Sequence, residues 1–525
     1  MIKTDVRVKI KYSLADIKEE IMARLPISHG ELSEVRILRR ALRLVSGEPA
    51  AYDMTVAISL SAEREAGLLK MRKKVAEAPD LTFLRIPSEL KHRPVVVGAG
   101  PAGLFAALTL AESGARPILI ERGAPVEERT LDVSRFFGGG ELSPESNIQF
   151  GEGGAGAFSD GKLKYGKIDK YKYKVLSELV NAGAPEEITY TVGAHLGTDK
   201  LTEIVRRLRE KIISLGGEVI FHARLVDITV RDGEIVGATY EKGGERVTLD
   251  TKTLVLAIGH SARDTFEMLL SRGVVMERRG FGIGVRIEHP REYIDNLIYK
   301  EHRYELGMGA SYHLVTHLPS GRSVYSFCMC PGGTVVAAAS EPGGVVTNGM
   351  SEYARDGENS NAALLVSVTP SDFPGDSPLA GFELQRSIEH RAYSIGGFLA
   401  PTQRLEAFMC GDAGGEPTLK PTYPIGTVTA PVDGYLPGEL ADSLRSGIAD
   451  FGEWLSGYYY PDATLTGAET RSTSPVRLTR GEKMTALGIL GLYPIGEGAG
   501  YAGGIISSAT DGVLCAENIL LSKGK

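Results

Sequence analysis

Cysteine is scarce in this chain. Only Cys328, Cys330, Cys410 and Cys515 occur among 525 residues, too few and too scattered for the disulfide framework of a secreted protein, so a reducing, cytoplasmic setting is expected. Excess positive charge is lacking too: 59 basic against 66 acidic residues leave a net charge of −7. That removes any overall pull toward nucleic acid or anionic lipid, although a local basic patch remains open. Met1 to Leu14 alternates charged and apolar residues and lacks the apolar core of a signal peptide. The longest apolar stretch, Pro94 to Ala111, would be long enough for a bilayer, but Gly98, Gly100, Pro101 and Gly103 break it, so no membrane span is expected. Fixed-period repeats and low-complexity tracts are absent as well, which excludes solenoid and disordered classes.

What is present is an ordinary globular composition, 42% hydrophobic and 24% charged with 64 glycines, in a chain too long for one hydrophobic core. Two or three domains are expected. Residues 1–90 alternate strand-like stretches (Val6 to Tyr12, Val35 to Val45, Tyr52 to Leu60) with a helical one (Leu14 to Leu25), a small α+β unit of ferredoxin-like type. A charged helix over Ala62 to Ala78 and a linker over Pro79 to Arg93 follow. From Val95 the order strand, glycine turn, helix, strand is the βαβ signature of a parallel, doubly wound sheet, so the fold class is α/β. Lys200 to Leu215 reads as an amphipathic helix, and strands fitted to Glu218–Phe221, Ala223–Val230, Ile235–Tyr240 and Thr253–Ile258 are expected to extend that domain. Residues 265–475 mix short strands, glycine turns and a Pro-rich middle, and residues 476–525 return to a glycine turn and a helix, Ala502 to Leu521.

Four segments carry chemistry. Val95-Val96-Val97 runs into Gly98-Ala99-Gly100-Pro101-Ala102-Gly103, a GxGxxG between an apolar strand and an apolar helix. There Gly98 permits the turn, Gly100 lets backbone approach a pyrophosphate, Gly103 lets helix meet strand, and the helix N-terminus offers free N–H donors. Glu121, 23 residues after Gly98 at the end of the second strand, is placed for both ribose hydroxyls of an adenosine and disfavours a 2′-phosphate. Arg122 beside it and Leu225 are further expected lining positions. In the second segment five glycines fall within eleven residues, from Gly151 to Gly161, leaving amides free around a planar or anionic ligand. Gly153, Gly154, Ala155, Gly156, Phe158, Ser159, Gly161 and Lys162 are its candidate contacts. Leu254 to Ile258 is a buried-type strand that stops at Gly259-His260, where backbone passes close to a ligand. The fourth segment, Gly496-Glu497-Gly498 through Gly503-Gly504-Ile505, opens the last helix, whose N-terminus suits an anionic ring. A rival, Cys410-Gly411-Asp412-Ala413, lacks a following helix because Pro417, Pro421 and Pro424 interrupt it.

These segments, together with AIGHSARDTF (Ala257 to Phe266), YSFCMCPGG (Tyr325 to Gly333) and TNGMS (Thr347 to Ser351), resemble the bacterial FAD-dependent dehydrogenases known as NAD(FAD)-utilising dehydrogenases, across most of the chain. The resemblance implies a glutathione-reductase-like FAD domain in which Gly98, Gly100, Gly103 and Glu121 hold ADP while Gly496 to Ile505 approach the flavin. It also implies the division 1–90 for the N-terminal unit, 91–264 and 476–525 for the two parts of the FAD domain, and 265–475 for an inserted mixed α+β substrate domain. No second GxGxxG follows a strand. NAD(P)H, if it is the reductant, must therefore dock transiently at the flavin face; otherwise the reductant is another molecule.

The candidate catalytic groups are Cys328 and Cys330, a CxC pair in a glycine turn whose thiols become reactive if a positive charge lowers their pKa, with buried structural thiols as the alternative. Four-ligand spacing is absent, so no metal is expected. His260 and Arg286 complete the set, a proton carrier and an anion holder. Arg263, Glu288 and His289 accompany them; the alternative is that His260 and Arg263 cap a helix or position FAD and that Arg286 and Glu288 pair on a strand. The expected function is hydride transfer between bound FAD and a small molecule, with no nucleic acid or membrane as partner. The alternative is an RNA-modification or protein-binding module in which Lys3, Arg7, Lys9, Lys11, Arg36, Arg39, Arg40 and Arg43 engage the partner.

Overall fold

The computed structural model describes residues 1–70, 74–307 and 309–522. The N-terminal unit is βαββαβ: β1 (Ile2–Lys9), α1 (Leu14–Arg24), β2 (Glu34–Arg43), β3 (Ala51–Ser59), α2 (Ala62–Leu69) and β4 (Ala76–Glu77). Its sheet order is β2-β3-β1-β4. The period-2 pattern of β1 buries Ile2, Thr4, Val6 and Val8, while α1 turns Ile17 and Ile21 toward the same core. Ser13 and Asp16 form a capping box that starts α1. The expected helix over Ala62 to Ala78 is shorter than its charge pattern suggested. It ends at Leu69, residues 71–73 lie outside the described residues, and Ala76–Glu77 pairs antiparallel with Ile2–Lys3. Four of the basic residues singled out here find acids within the unit: Arg7 pairs with Asp53, Lys9 with Asp16, Arg36 with Glu34 and Arg43 with Glu48. Arg40 is instead turned into the junction with the next domain. Its guanidinium bonds Glu187 and Thr191 and lies over Tyr52 and Tyr190.

The second domain holds β5 (Val95–Val97), α3 (Pro101–Glu112), β6 (Ile118–Ile120), α4 (Val126–Phe137), α5 (Lys170–Asn181), α6 (Gly197–Ser214), β7 (Glu218–Ile220), β8 (Arg224–Arg231), β9 (Glu234–Lys242), β10 (Glu245–Asp250), β11 (Leu254–Leu256) and α7 (Arg263–Ser271). Its parallel sheet has five strands, Leu492–Pro494, β11, β5, β6 and β7 in that order. The C-terminal residues thus supply an edge strand beside β11. The helix Ile505–Leu521 then packs on α3. This explains the membrane-like run: α3 is buried from Ala102 to Ala111 because sheet and C-terminal helix cover it. Among the described residues no helix is long and apolar enough to cross a membrane. The four strands expected to extend this domain divide between two sheets. β7 and β11 join the parallel sheet, whereas β8, β9 and β10 form a separate antiparallel ribbon, forced by the positive-φ turns Asp232-Gly233 and Gly243-Gly244.

The third domain departs most from expectation. It is organised by a seven-stranded sheet in the order Val315–His317, Ser323–Cys330, Asn359–Val368, Phe281–Pro290, Thr464–Glu469, Ala400–Arg404, Thr427–Thr429. The two central strands run ten residues each and are buried along nearly their whole length, beneath the helices Ala380–Gly396 and Gly438–Trp454. Gly282 and Gly284 sit inside the strand Phe281–Pro290. A Cβ on Gly284 would lie 1.8 Å from the Leu364 carbonyl, so the residue is small because the neighbouring strand presses on it.

Candidate functional site

One deep cleft opens between the C-terminal edge of the parallel sheet and the third domain. Its floor is the β5–α3 turn. Gly98, with φ +99°, sits against β11, where an added Cβ would come 2.3 Å from the Ala257 carbonyl. Gly103 is tighter still, 1.8 Å from the Gly98 carbonyl. Gly100 differs. An added Cβ there meets only Gly154 Cα at 3.7 Å, so the space in front of it belongs to the cleft. The N-terminus of α3 carries no side-chain cap, and neither does that of Ile505–Leu521, which starts at Gly504. Two uncapped positive helix ends therefore line one cavity, an arrangement that fits a diphosphate at one and an electron-rich ring at the other. A Cβ at Gly503 or Gly504 would meet nothing within 4 Å.

Glu121 works differently from the expected ribose acceptor alone. Its carboxylate accepts from the backbone N–H of Ala99 (2.7 Å), Gly123 (3.0 Å) and Gly151 (2.9 Å). It clamps the phosphate turn to the second glycine loop while still touching the cleft. A carboxylate has about four acceptor positions, so three amides leave little capacity for a sugar. Arg122 is held over the Phe150 ring at 4.1 Å and chelates Asp264 at 2.9 and 3.1 Å.

Of the other expected contacts, Pro101, Ala102, Gly154, Ala155, Gly156, Ser159, Gly161 and Lys162 lie on the cleft wall, as do Leu225, Gly259, His260, Glu497 and Ile505. Six expected residues stand behind the wall. Gly103 and Gly498 are packing glycines; a Cβ on Gly498 would lie 2.2 Å from the Gly259 carbonyl. Gly153 donates to the Ala99 carbonyl at 2.8 Å, and Phe158 turns inward under Arg129. Arg286 and Cys330 are fully buried.

Sequence reasoning passed over the residue that shapes the glycine loop. Arg129, on α4 and fully buried, donates to the carbonyls of Asn147, Ile148, Gly151, Glu152 and Gly154 at 2.6–3.2 Å. Its only sequence signal was an arginine on the apolar side of an amphipathic helix. A second omission is Asp160, buried and bound to Arg355 and Ser351. A third is the network behind His260, in which Arg263 and Arg471 both grip Glu389. Arg263 thus anchors Glu389, Glu341 and Gln385 rather than capping its helix. Enclosure, together with positive Arg471 and Arg263, pushes the His260 imidazole down to about 4. Its Nδ1 lies 3.0 Å from the Ser261 hydroxyl, which donates to Gln149.

The third domain closes the cleft with Phe327, Cys328, Asn348, Glu469, Arg471 and Ser472. Cys328 occupies a β-bulge between Phe327 and Cys330 with φ +42°. Arg286 fixes that bulge. It pairs bidentately with Glu469 at 2.8 Å, and donates to the Cys328 carbonyl at 2.9 Å and to the side chains of Asn348 and Asn361. Arg286 and Glu288 do not pair with each other; Glu288 holds Asn359 and Thr422. His289 is buried on the far side against Tyr458. Cys410 is exposed, and all four cysteines are free thiols.

Residues 92–274 match the family model of pyridine nucleotide-disulphide oxidoreductases, and residues 280–472 match that of the FAD-dependent protein C-terminal domain. An uncharacterised protein of Clostridium beijerinckii is 44% identical over 98% of both chains. The chain belongs to this family of FAD-dependent proteins. It is an FAD-dependent oxidoreductase, and the cofactor fits the two uncapped helix ends and the open glycines described above. The FixC protein of Salmonella typhi is 27% identical over 38% of this chain and 44% of its own. Among solved structures, a 3-ketosteroid dehydrogenase of Rhodococcus jostii RHA1 has 14% identity and TM-score 0.35, covering 84% of this chain and 100% of that one.

Proposed function

We propose that this family member transfers a hydride between bound FAD and a small organic molecule seated where the third domain meets the cofactor cleft. The observation that carries the reading is the composition of the far wall: Cys328, Asn348 and Arg471 come from the third-domain side of the same cavity whose floor is the dinucleotide turn. FAD supplies the two-electron chemistry when bound. The chain supplies placement and charge. Amides at the α3 N-terminus hold the diphosphate, Arg129 and Glu121 keep the two glycine loops in register, and Gly503 and Gly504 leave room at the second helix end. His260, kept neutral, offers a hydrogen bond without adding charge. Among the described residues no second dinucleotide fold accompanies the first, so a nicotinamide reductant would enter the open cleft and leave it in each turnover. The reading also places the chain in a reducing, cytoplasmic compartment.

The test is direct. The purified protein is loaded with FAD, its visible spectrum recorded, and NADH or NADPH added anaerobically. Bleaching by either supports hydride entry through the cleft. A protein that stays colourless after incubation with FAD refutes the assignment.

A further inference from the structure

The CxC pair is the strongest unassigned chemistry in the molecule, and it lies on the wall of the cofactor cleft. Cys328 lines the cavity while Cys330, two residues on, is buried behind it. The bulge between Phe327 and Cys330 departs from regular strand geometry. It places the Cys330 thiol as a donor to the Cys328 carbonyl at 3.2 Å. Across the ladder Cys330 faces Asn361, a fully buried residue whose Nδ2 has no partner.

The charges that face Cys328 come from three elements. Arg286, on the central strand, is tied to Glu469 and bonds the Cys328 carbonyl. Lys162, from the glycine loop, donates to the Met329 carbonyl and stands near Asp160, itself neutralised by Arg355. Glu497, from the C-terminal loop, lines the same cavity, and burial raises its carboxyl to about 7. The surroundings suit one negative charge on the pair and oppose two.

We propose that Cys328 is the proton acceptor of this cleft: a thiolate while the cofactor is oxidised and a thiol once the cofactor is reduced. The inference rests on the FAD reading above. In the balanced step the substrate loses two hydrogens. One leaves with its electron pair and passes to FAD, the oxidant; the other leaves as a proton and forms the S–H bond of Cys328. The reduced flavin gains the negative charge that the thiolate gives up, so the charge of the cleft is unchanged, and the reverse reaction returns the proton. The neighbouring Cys330 thiol, Arg286 and Lys162 all favour the thiolate, outweighing burial and lowering Cys328 below the usual thiol range, whereas Cys330 is driven the other way and keeps its proton.

Two measurements test this without a known substrate. First, FAD-free protein is alkylated with iodoacetamide from pH 5 to 9 and the modified cysteines are mapped by peptide mass spectrometry. Cys328 should react with a midpoint well below the usual thiol value of about 8.5, Cys330 should stay protected, and Cys330→Ala should move the Cys328 midpoint upward. An ordinary midpoint, or a Cys328–Cys330 disulfide in place of an alkylatable thiol, overturns the proposal. Second, the midpoint potential of bound FAD is followed across pH 6.5–8. One proton per electron pair changes the equilibrium tenfold per pH unit, about 30 mV. Cys328→Ala should therefore flatten the slope by about 30 mV per pH unit, whereas Cys410→Ala, which removes an exposed thiol outside the cleft, should leave it at the wild-type value. Equal slopes for wild type and Cys328→Ala, or a flattened slope in Cys410→Ala, assign the proton elsewhere. If the chain fails to take up FAD at all, the functional reading falls, while the alkylation result still stands or falls alone.

Discussion

Two glycines three residues apart in the phosphate turn should behave in opposite ways when each receives one methyl group. At Gly103 the added Cβ would stand 1.8 Å from the Gly98 carbonyl oxygen and 3.0 Å from its carbon, both backbone atoms. Helix α3 cannot keep its seat on β5, and overpacking of this kind costs about 1–3 kcal/mol, offset only in part by the gain of up to about 1 kcal/mol for alanine over glycine in a helix. At Gly100 the backbone is extended, with φ −76°, and the methyl meets only Gly154 Cα at 3.7 Å. Nothing in the protein objects, so stability should stay within about 0.5 kcal/mol. The methyl instead fills the space where the diphosphate must approach the amides. Gly100→Ala should fold like the wild type yet bind FAD at least about tenfold more weakly, a loss of about 1.4 kcal/mol or more. Thermal unfolding of FAD-stripped protein and fluorescence titration with FAD separate the two effects. Wild-type affinity in Gly100→Ala, or an unchanged unfolding midpoint for FAD-stripped Gly103→Ala, would refute the steric assignment of the turn.

Three further outcomes follow from buried and half-buried polar groups. Arg129→Met should destabilise the chain by about 3–5 kcal/mol in urea, because buried carbonyls lose their charged donor; a loss under about 1 kcal/mol contradicts its role in the glycine loop. His289 is fully buried and burial lowers it to about 4, so the unfolded chain binds a proton near the ordinary 6.5 that the folded chain refuses. Stability should fall as pH drops from about 6.5 toward 4, by about 2–4 kcal/mol for this group. His289→Phe should flatten that limb in urea titrations at pH 7, 5.5 and 4.5, and an unchanged limb counts against the burial argument. Arg40→Ala removes the bonds to Glu187 and Thr191 at the junction of the first two domains. Amide exchange at position 40 and at Val192, whose N–H groups donate to the Tyr190 carbonyl and to the carbonyl of residue 40, should speed by roughly 5–30-fold, matching about 1–2 kcal/mol, while exchange in α3 stays unchanged.

The sequence made the parallel sheet legible because one pattern, three consecutive valines followed by spaced glycines, has a single physical solution. The buried α3 belongs to that solution. Only a strand-to-helix turn needs Gly98 for its φ and Gly103 for its contact at once. The third domain was harder to read for the converse reason. Its central strands are buried on both faces, so the alternation that marks a half-buried strand never appears, and glycines that serve close packing look like turns. The site follows the same division. Cleft residues on the glycine loops announce themselves through backbone requirements, whereas Arg129, Asp160 and Arg355 act through partners between 18 and 195 positions away, a relation no local window contains. Cys328 lies between these cases. The spacing of the two thiols marks it as a candidate, but its position facing the cofactor depends on a bulge that Arg286 holds from a neighbouring strand. The chemistry of the cleft is therefore written partly in short motifs and partly in which buried arginine reaches which carbonyl, and the second kind of information exists only once the chain has folded.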